Sequence, residues 1–141
     1  MKQLLTLLTL STALLFAGTS KLDDKTGLIW QDNSEVGEKD LSHDEALRYC
    51  QDLKVDGFSD WRLPTLKEAY TIVNLKTNRP ALKNGFEVHD DGRYWTATLF
   101  AKDPKKDAWY ISMSYGESEP YKKSRIYHVR CVRDASKSLE Q

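Results

Sequence analysis

Two cysteines, Cys50 and Cys131, stand 81 residues apart in a chain of 141 residues, and no third cysteine competes for either. Joined, they would tie the start of a domain to its end, and for a loop of that length chain entropy gives about 4.5 kcal/mol of stabilisation as an upper figure. Whether they join depends on the compartment. The N-terminal stretch MKQLLTLLTLSTALLFAGTS bears on that question. It has one lysine, an apolar run from Leu4 to Phe16, and small residues from Ala17 to Ser20, the three-part pattern of a secretory signal peptide. The apolar run is shorter than the roughly 20 residues that span a bilayer. We therefore expect residues 1–20 to be a signal peptide, with cleavage after Ser20 and alternatives after Ala17 and Thr19. A domain over 21–134 and a polar tail over 135–141 would follow, with no transmembrane anchor after cleavage. In an oxidising compartment Cys50 and Cys131 are expected to form a disulfide; two buried free thiols are the alternative.

The charges balance, with 21 Lys and Arg against 21 Asp and Glu, which gives no support for binding nucleic acid or bulk anionic membrane. Along the chain, TGLIWQD reads as a strand. In SHDEALRYCQDL, Ser42 and Glu45 have capping-box spacing, and Ala46, Tyr49, Cys50 and Leu53 share one helical face. The same signature returns in TLKEAYTIVN, with Thr65 and Glu68 as the box and Leu66, Ala69, Tyr70 and Val73 as the apolar stripe. RYWTATLF, AWYISMSYG and RIYHVRCVRD read as strands, with the polar segment ESEPYKKS as a connector. The order β, α, α, β, β, β indicates an α+β fold with a late antiparallel meander.

Between the helices lies GFSDWRLPT. Leu63 precedes Pro64 and is pushed toward extended geometry. In an extended stretch Trp61 and Leu63 face one way while Asp60 and Arg62 face the other and are expected to pair. We read Asp60, Trp61, Arg62 and Pro64 as a structural corner. As a catalytic site the stretch lacks a neighbouring nucleophile or histidine.

DDKTGLIWQD, ALRYCQDLKVDGFSDWRLPTLKEAYTIVN, RYWTAT, AWYISMSYG and YHVRCVRD, in this order, resemble the C-terminal domain family of the Legionella collagen-like adhesin over roughly Asp23 to Asp134. The resemblance implies a fold related to the C-type-lectin-like architecture. Two short helices would pack on a twisted antiparallel sheet, with adjacent termini and a bridge from the first helix to the last strand. Because the adhesin domain binds sulfated glycosaminoglycans, it also implies a surface-binding module. It supplies no catalytic set to carry over, and the chain has no collagen-like repeat.

Candidate chemistry is sparse. A lectin calcium loop would need an asparagine after Glu119 and Pro120, where Tyr121 stands. HDDG, from His89 to Gly92, reads as a solvated turn rather than a ligand set. His43, His89 and His128 lack the paired spacing of a zinc site. Two basic clusters remain, KDPKKD with Lys102, Lys105 and Lys106, and YKKSR with Tyr121, Lys122, Lys123 and Arg125. The second is the candidate ligand site, where charge-assisted hydrogen bonds would hold a sulfate or carboxylate beside an aromatic face. Its other reading is a solvated loop whose field Glu117 and Glu119 dilute. The expectation is a periplasmic or secreted, non-catalytic binding module without a cofactor, its partner a sulfated polysaccharide or an envelope protein. The alternatives are an enzyme on the fold of the formylglycine-generating enzymes and a structural component of an envelope assembly.

Overall fold

The computed structural model describes residues 20–135. Of the expected leader only Ser20, and of the polar tail only Ala135, fall among them. The elements are β1 (Ser20–Asp23), β2 (Leu28–Gln31), α1 (His43–Asp52), α2 (Leu66–Tyr70), β3 (Arg93–Leu99), β4 (Asp107–Ser112), β5 (Ser118–Lys122) and β6 (Val132–Asp134). The result is a small α+β fold with two antiparallel three-stranded sheets, ordered β1-β2-β6 and β3-β4-β5.

Both helices begin where the sequence places their caps. The Ser42 hydroxyl accepts the Glu45 N–H while the Glu45 carboxylate accepts the Ser42 N–H, and Thr65 and Glu68 repeat the exchange, so free N–H groups of each first turn are satisfied. Helix α2 is only five residues long. Its buried face centres on Ala69 and continues to Ile72, and at about 100° per residue that leaves Tyr70 at the margin. Tyr70, expected inside, is thus 42% exposed and hydrogen bonds to the Ser118 hydroxyl.

In the β3-β4-β5 meander, β3 and β4 bury side chains on both faces while the edge strand β5 stays half-buried or exposed. Tyr94 opposes Ile111 and Trp95 opposes Tyr110, and directly opposed residues share a face. Trp95, Ala108 and Tyr110 pack with Ala46 and Cys50 of α1 and with Trp61, Leu63, Val129 and Cys131. On the other face Tyr94 and Ile111 pack with Ala69 and Ile72, and with Leu28, Trp30 and Val132 of the small sheet. Strand β2 pairs with β1 on one side and β6 on the other, which brings both ends of the domain into one sheet. The Cys50–Cys131 disulfide, its Cα atoms 5.6 Å apart, ties α1 to the residue preceding β6, and both cysteines are fully buried. Cys131 is seated there by exchange with Gln31, whose N–H donates to its carbonyl while its own N–H donates to the Gln31 Oε1.

Three sequence expectations need correction. SKLD, where no strand is expected, is strand β1, and it includes Ser20, the last residue of the expected leader. The polar connector ESEPYKKS contains β5, an edge strand whose charges and proline mimic a loop. Hydrogen bonds from Lys123 N to Lys106 O and from Ser112 N to Glu117 O bracket its ladder with β4. Alternation between those bonds sets Pro120, opposite Trp109, with its nitrogen toward the outer edge, where no N–H is required and further pairing is blocked. Finally, RIYHVRCVRD is a strand only from Val132. Before that the chain bridges to the segment preceding α1 through Leu41–Tyr127 and to β3 through Tyr94–His128.

His43 lies fully buried at the start of α1. Its Nε2 is 2.8 Å from the Thr96 carbonyl, its ring stands edge-on to Trp95, and Nδ1 has no partner. Burial pushes its pKa below the ordinary 6.5, so the folded protein holds it neutral while the unfolded chain takes up a proton at that pH. His43 therefore contributes no pH dependence well above 6.5 and lowers stability as the pH falls from there toward the folded pKa. A His43→Gln variant, which keeps a donor for Thr96, is expected to lose melting temperature less steeply than the parent between about pH 7 and pH 5. Parallel melting curves across that range check this.

Candidate functional site

The corner between the helices is built as a junction. Its backbone pairs with β6 through Arg62 N to Val132 O at 2.9 Å and Val132 N to Arg62 O at 2.8 Å. The Pro64 carbonyl accepts the Ala97 N–H of β3 at 2.7 Å, and the Thr98 hydroxyl accepts the Leu66 N–H. Trp61 and Leu63 enter the core, each 3% exposed, and the indole N–H of Trp61 donates to the Phe58 carbonyl at 3.1 Å. Asp60 and Arg62 share the outer side as expected but do not pair. Arg62 forms a two-pronged bond with Glu68, at 2.6 and 2.7 Å, and reaches Asp134 at 3.3 Å. Asp60 binds the fully buried Arg133 at 2.6 and 3.2 Å, and that guanidinium lies 3.7 Å from the centre of the Phe58 ring. Each charge takes the partner whose geometry allows a forked contact, and these lie on α2 and β6. Glu68 thereby closes the helix cap and holds Arg62 at once, and Arg62 pushes its carboxyl pKa down.

The two basic clusters meet at one end of the β4-β5 hairpin. Lys105, Lys106, Lys122 and Lys123 line a cleft of about 560 Å³ together with Asp103, Asp107 and Ser124, four cations against two carboxylates in a chain whose formal charge is zero. Lys123 is tethered by a bond from its Nζ to the Pro104 carbonyl at 2.8 Å, and Lys105, Lys106 and Lys122 are exposed. The candidate ligand residues are thus divided. Lys122 and Lys123 join the cleft, whereas Tyr121 and Arg125 stack on each other, the guanidinium carbon 5.3 Å from the ring centre. Glu117 and Glu119 are not part of the cleft lining. Strand alternation sends Glu119 and Tyr121 to the face opposite Lys122, so these glutamates dilute the lysine field less than linear sequence suggests.

The family model of the Lcl C-terminal domain matches residues 20–133, nearly the whole of the described chain. The chain belongs to the Lcl C-terminal domain family. No curated protein matches it. Membership of the Lcl C-terminal domain family makes it an adhesin-associated module.

Other polar groups of this Lcl C-terminal domain serve its frame. His128 lies between two carboxylates, Nδ1 2.6 Å from Asp40 and Nε2 3.3 Å from Asp90. The HDDG segment, read as a solvated turn, therefore reaches back to the segment that precedes β6. Among the described residues no group of three or more His, Cys, Asp and Glu side chains is arranged to hold a metal ion. Arg130, 4% exposed, binds Asp32 and the carbonyls of Gln31 and Val88, and packs 4.7 Å from the Phe86 ring centre. The Asp32 carboxylate also accepts the N–H groups of Glu87 and Val88, so the pair fixes the long loop before β3. Sequence reasoning missed both buried arginines and also Arg93. The available signal was the run of arginines at 130 and 133 in an otherwise apolar segment, a pattern that calls for buried anionic partners.

Proposed function

We propose that this chain is an exported, non-catalytic binding module of C-type-lectin-like architecture that holds sulfated or acidic glycans in the lysine cleft. The observation that carries the reading is the convergence of Lys105, Lys106, Lys122 and Lys123 from two separate segments onto one cleft. The glutamates nearest in sequence project from the other face. A polyanion gains several charge-assisted contacts at such a place without desolvating a deep pocket. A binding rather than catalytic role is supported by the cysteines, since both are held in the disulfide and a formylglycine-type chemistry would need a free thiol. Export to the periplasm or cell exterior is supported by the same bond. Among the described residues no helix is long and apolar enough to cross a membrane.

Replacing Lys105, Lys106 and Lys122 together by serine is expected to weaken binding to a heparin-like polymer by on the order of tenfold or more. The three side chains are exposed, so stability should change by less than about 0.5 kcal/mol. Affinity chromatography and a melting curve of the variant beside the parent check both halves. Undiminished retention of a well-folded variant would remove the cleft from the site. The second reading, an envelope-protein partner, is favoured by Leu75, Tyr115 and Tyr70, which stay 77%, 50% and 42% exposed. These are the kinds of side chain that anchor protein interfaces.

A further inference from the structure

The face of the meander that carries Glu119 holds a second, smaller pocket of different chemistry. Arg93 of β3, Tyr110 and Ser112 of β4, and Glu117 and Glu119 of the β5 segment line a cavity of about 120 Å³, the space of roughly four water molecules. Register brings them together, with Arg93 opposite Ser112 and Tyr110 opposite Glu119, so they rise from one face. The Arg93 guanidinium carbon lies 5.2 Å from the ring centre of Tyr110 and 5.8 Å from that of Tyr127, and those rings pack 5.0 Å apart. Arg93 takes part in none of the ion pairs among the described residues.

Glutamates nevertheless share its pocket. Tyr110 donates its hydroxyl to the Glu119 Oε2 at 2.9 Å, so one tyrosine holds both charges, the cation against its ring and the anion on its hydroxyl. Burial and this bond push the Tyr110 phenol pKa up to about 12, which keeps the donor proton in place at neutral pH. A surface arginine and glutamate free to move would close on each other with modest gain. Here they are kept apart with a small cavity between them, which leaves the arginine fork and one oxygen of Glu119 unengaged.

We propose that this pocket binds a small zwitterion of the α-amino acid class. Its carboxylate would be held in the Arg93 fork, and its ammonium group would lie against Glu119 and Glu117 beside the Ser112 hydroxyl. The guanidinium matches a carboxylate with two parallel bonds, and the glutamates supply the acceptors an ammonium needs. The same glutamates repel a polyanion, so this site and the lysine cleft select opposite kinds of ligand.

Calorimetric titration of the full chain with alanine, acetate and methylammonium tests the assignment. Alanine is expected to bind at least about tenfold more tightly than either single-charge probe, because only it engages both sides. Arg93→Met is expected to abolish alanine binding, and Glu119→Gln to weaken it several-fold, with retention on a heparin-like polymer unchanged in both. A variant that loses retention as well as alanine binding is misfolded, and the other variant then decides. Alanine binding no tighter than acetate, or binding that survives in folded Arg93→Met, overturns the proposal.

Discussion

Replacing Cys50 and Cys131 together by alanine is expected to lower the unfolding free energy by about 2–5 kcal/mol, out of the roughly 5–15 kcal/mol typical of a domain. The bond spans 81 residues, so in the chain-entropy account it restricts the unfolded ensemble strongly. Helix α1 touches β3 through His43 and Trp95, but the segment leading into β6 is held to α1 through the two sulfurs. Strand β6 is also anchored by its ladder to β2, by the Arg62–Val132 bridge and by the ion pairs of Arg133 with Asp60 and of Asp134 with Arg62, none of which joins it to α1. Urea unfolding of the double variant beside the oxidised parent checks the figure through the shift in midpoint. Coincident midpoints would mean that packing alone closes the domain.

Trp61→Ala is the second large expected effect, at about 3–5 kcal/mol. The indole is 3% exposed in the cluster that also contains the disulfide, Trp95 and Tyr110. Its removal leaves a cavity that the cross-linked frame resists filling, and the Phe58 carbonyl loses its indole donor. Trp61→Phe, which restores much of the ring volume but not the hydrogen bond, should recover part of the loss. Chemical denaturation of the two variants separates packing from bonding. A Trp61→Ala protein as stable as its parent would show the corner to be dispensable.

The sequence made the helices legible because their signals are local. A cap and its reciprocal glutamate lie three residues apart, and the apolar stripe repeats within one turn. The inward side of Asp60 to Leu63 was legible for the same reason, from Pro64 and period-two alternation. Partner choice was not local. Asp60 and Arg62 lie two residues apart on one side, yet their partners come from β6 and α2, and only the assembled fold brings these within reach. Strand β5 was hidden because Pro120 and its charged neighbours look like a loop, and an edge strand tolerates both. That hidden strand also controlled the site. Once residues 118–122 are a strand, Lys122 and Glu119 point to opposite faces, and a mixed-charge tract becomes a lysine cleft on one side and an arginine-glutamate pocket on the other.

The most direct measurement of the proposed role is the affinity of the full chain for a heparin-like polymer as a function of salt. If the lysine cleft is the site, binding is present at low ionic strength and falls steeply as the salt passes about 0.15 M, where the screening length is about 8 Å. No binding at low salt, or binding indifferent to salt, would contradict the account and turn attention to a protein partner on the exposed face around Leu75 and Tyr115.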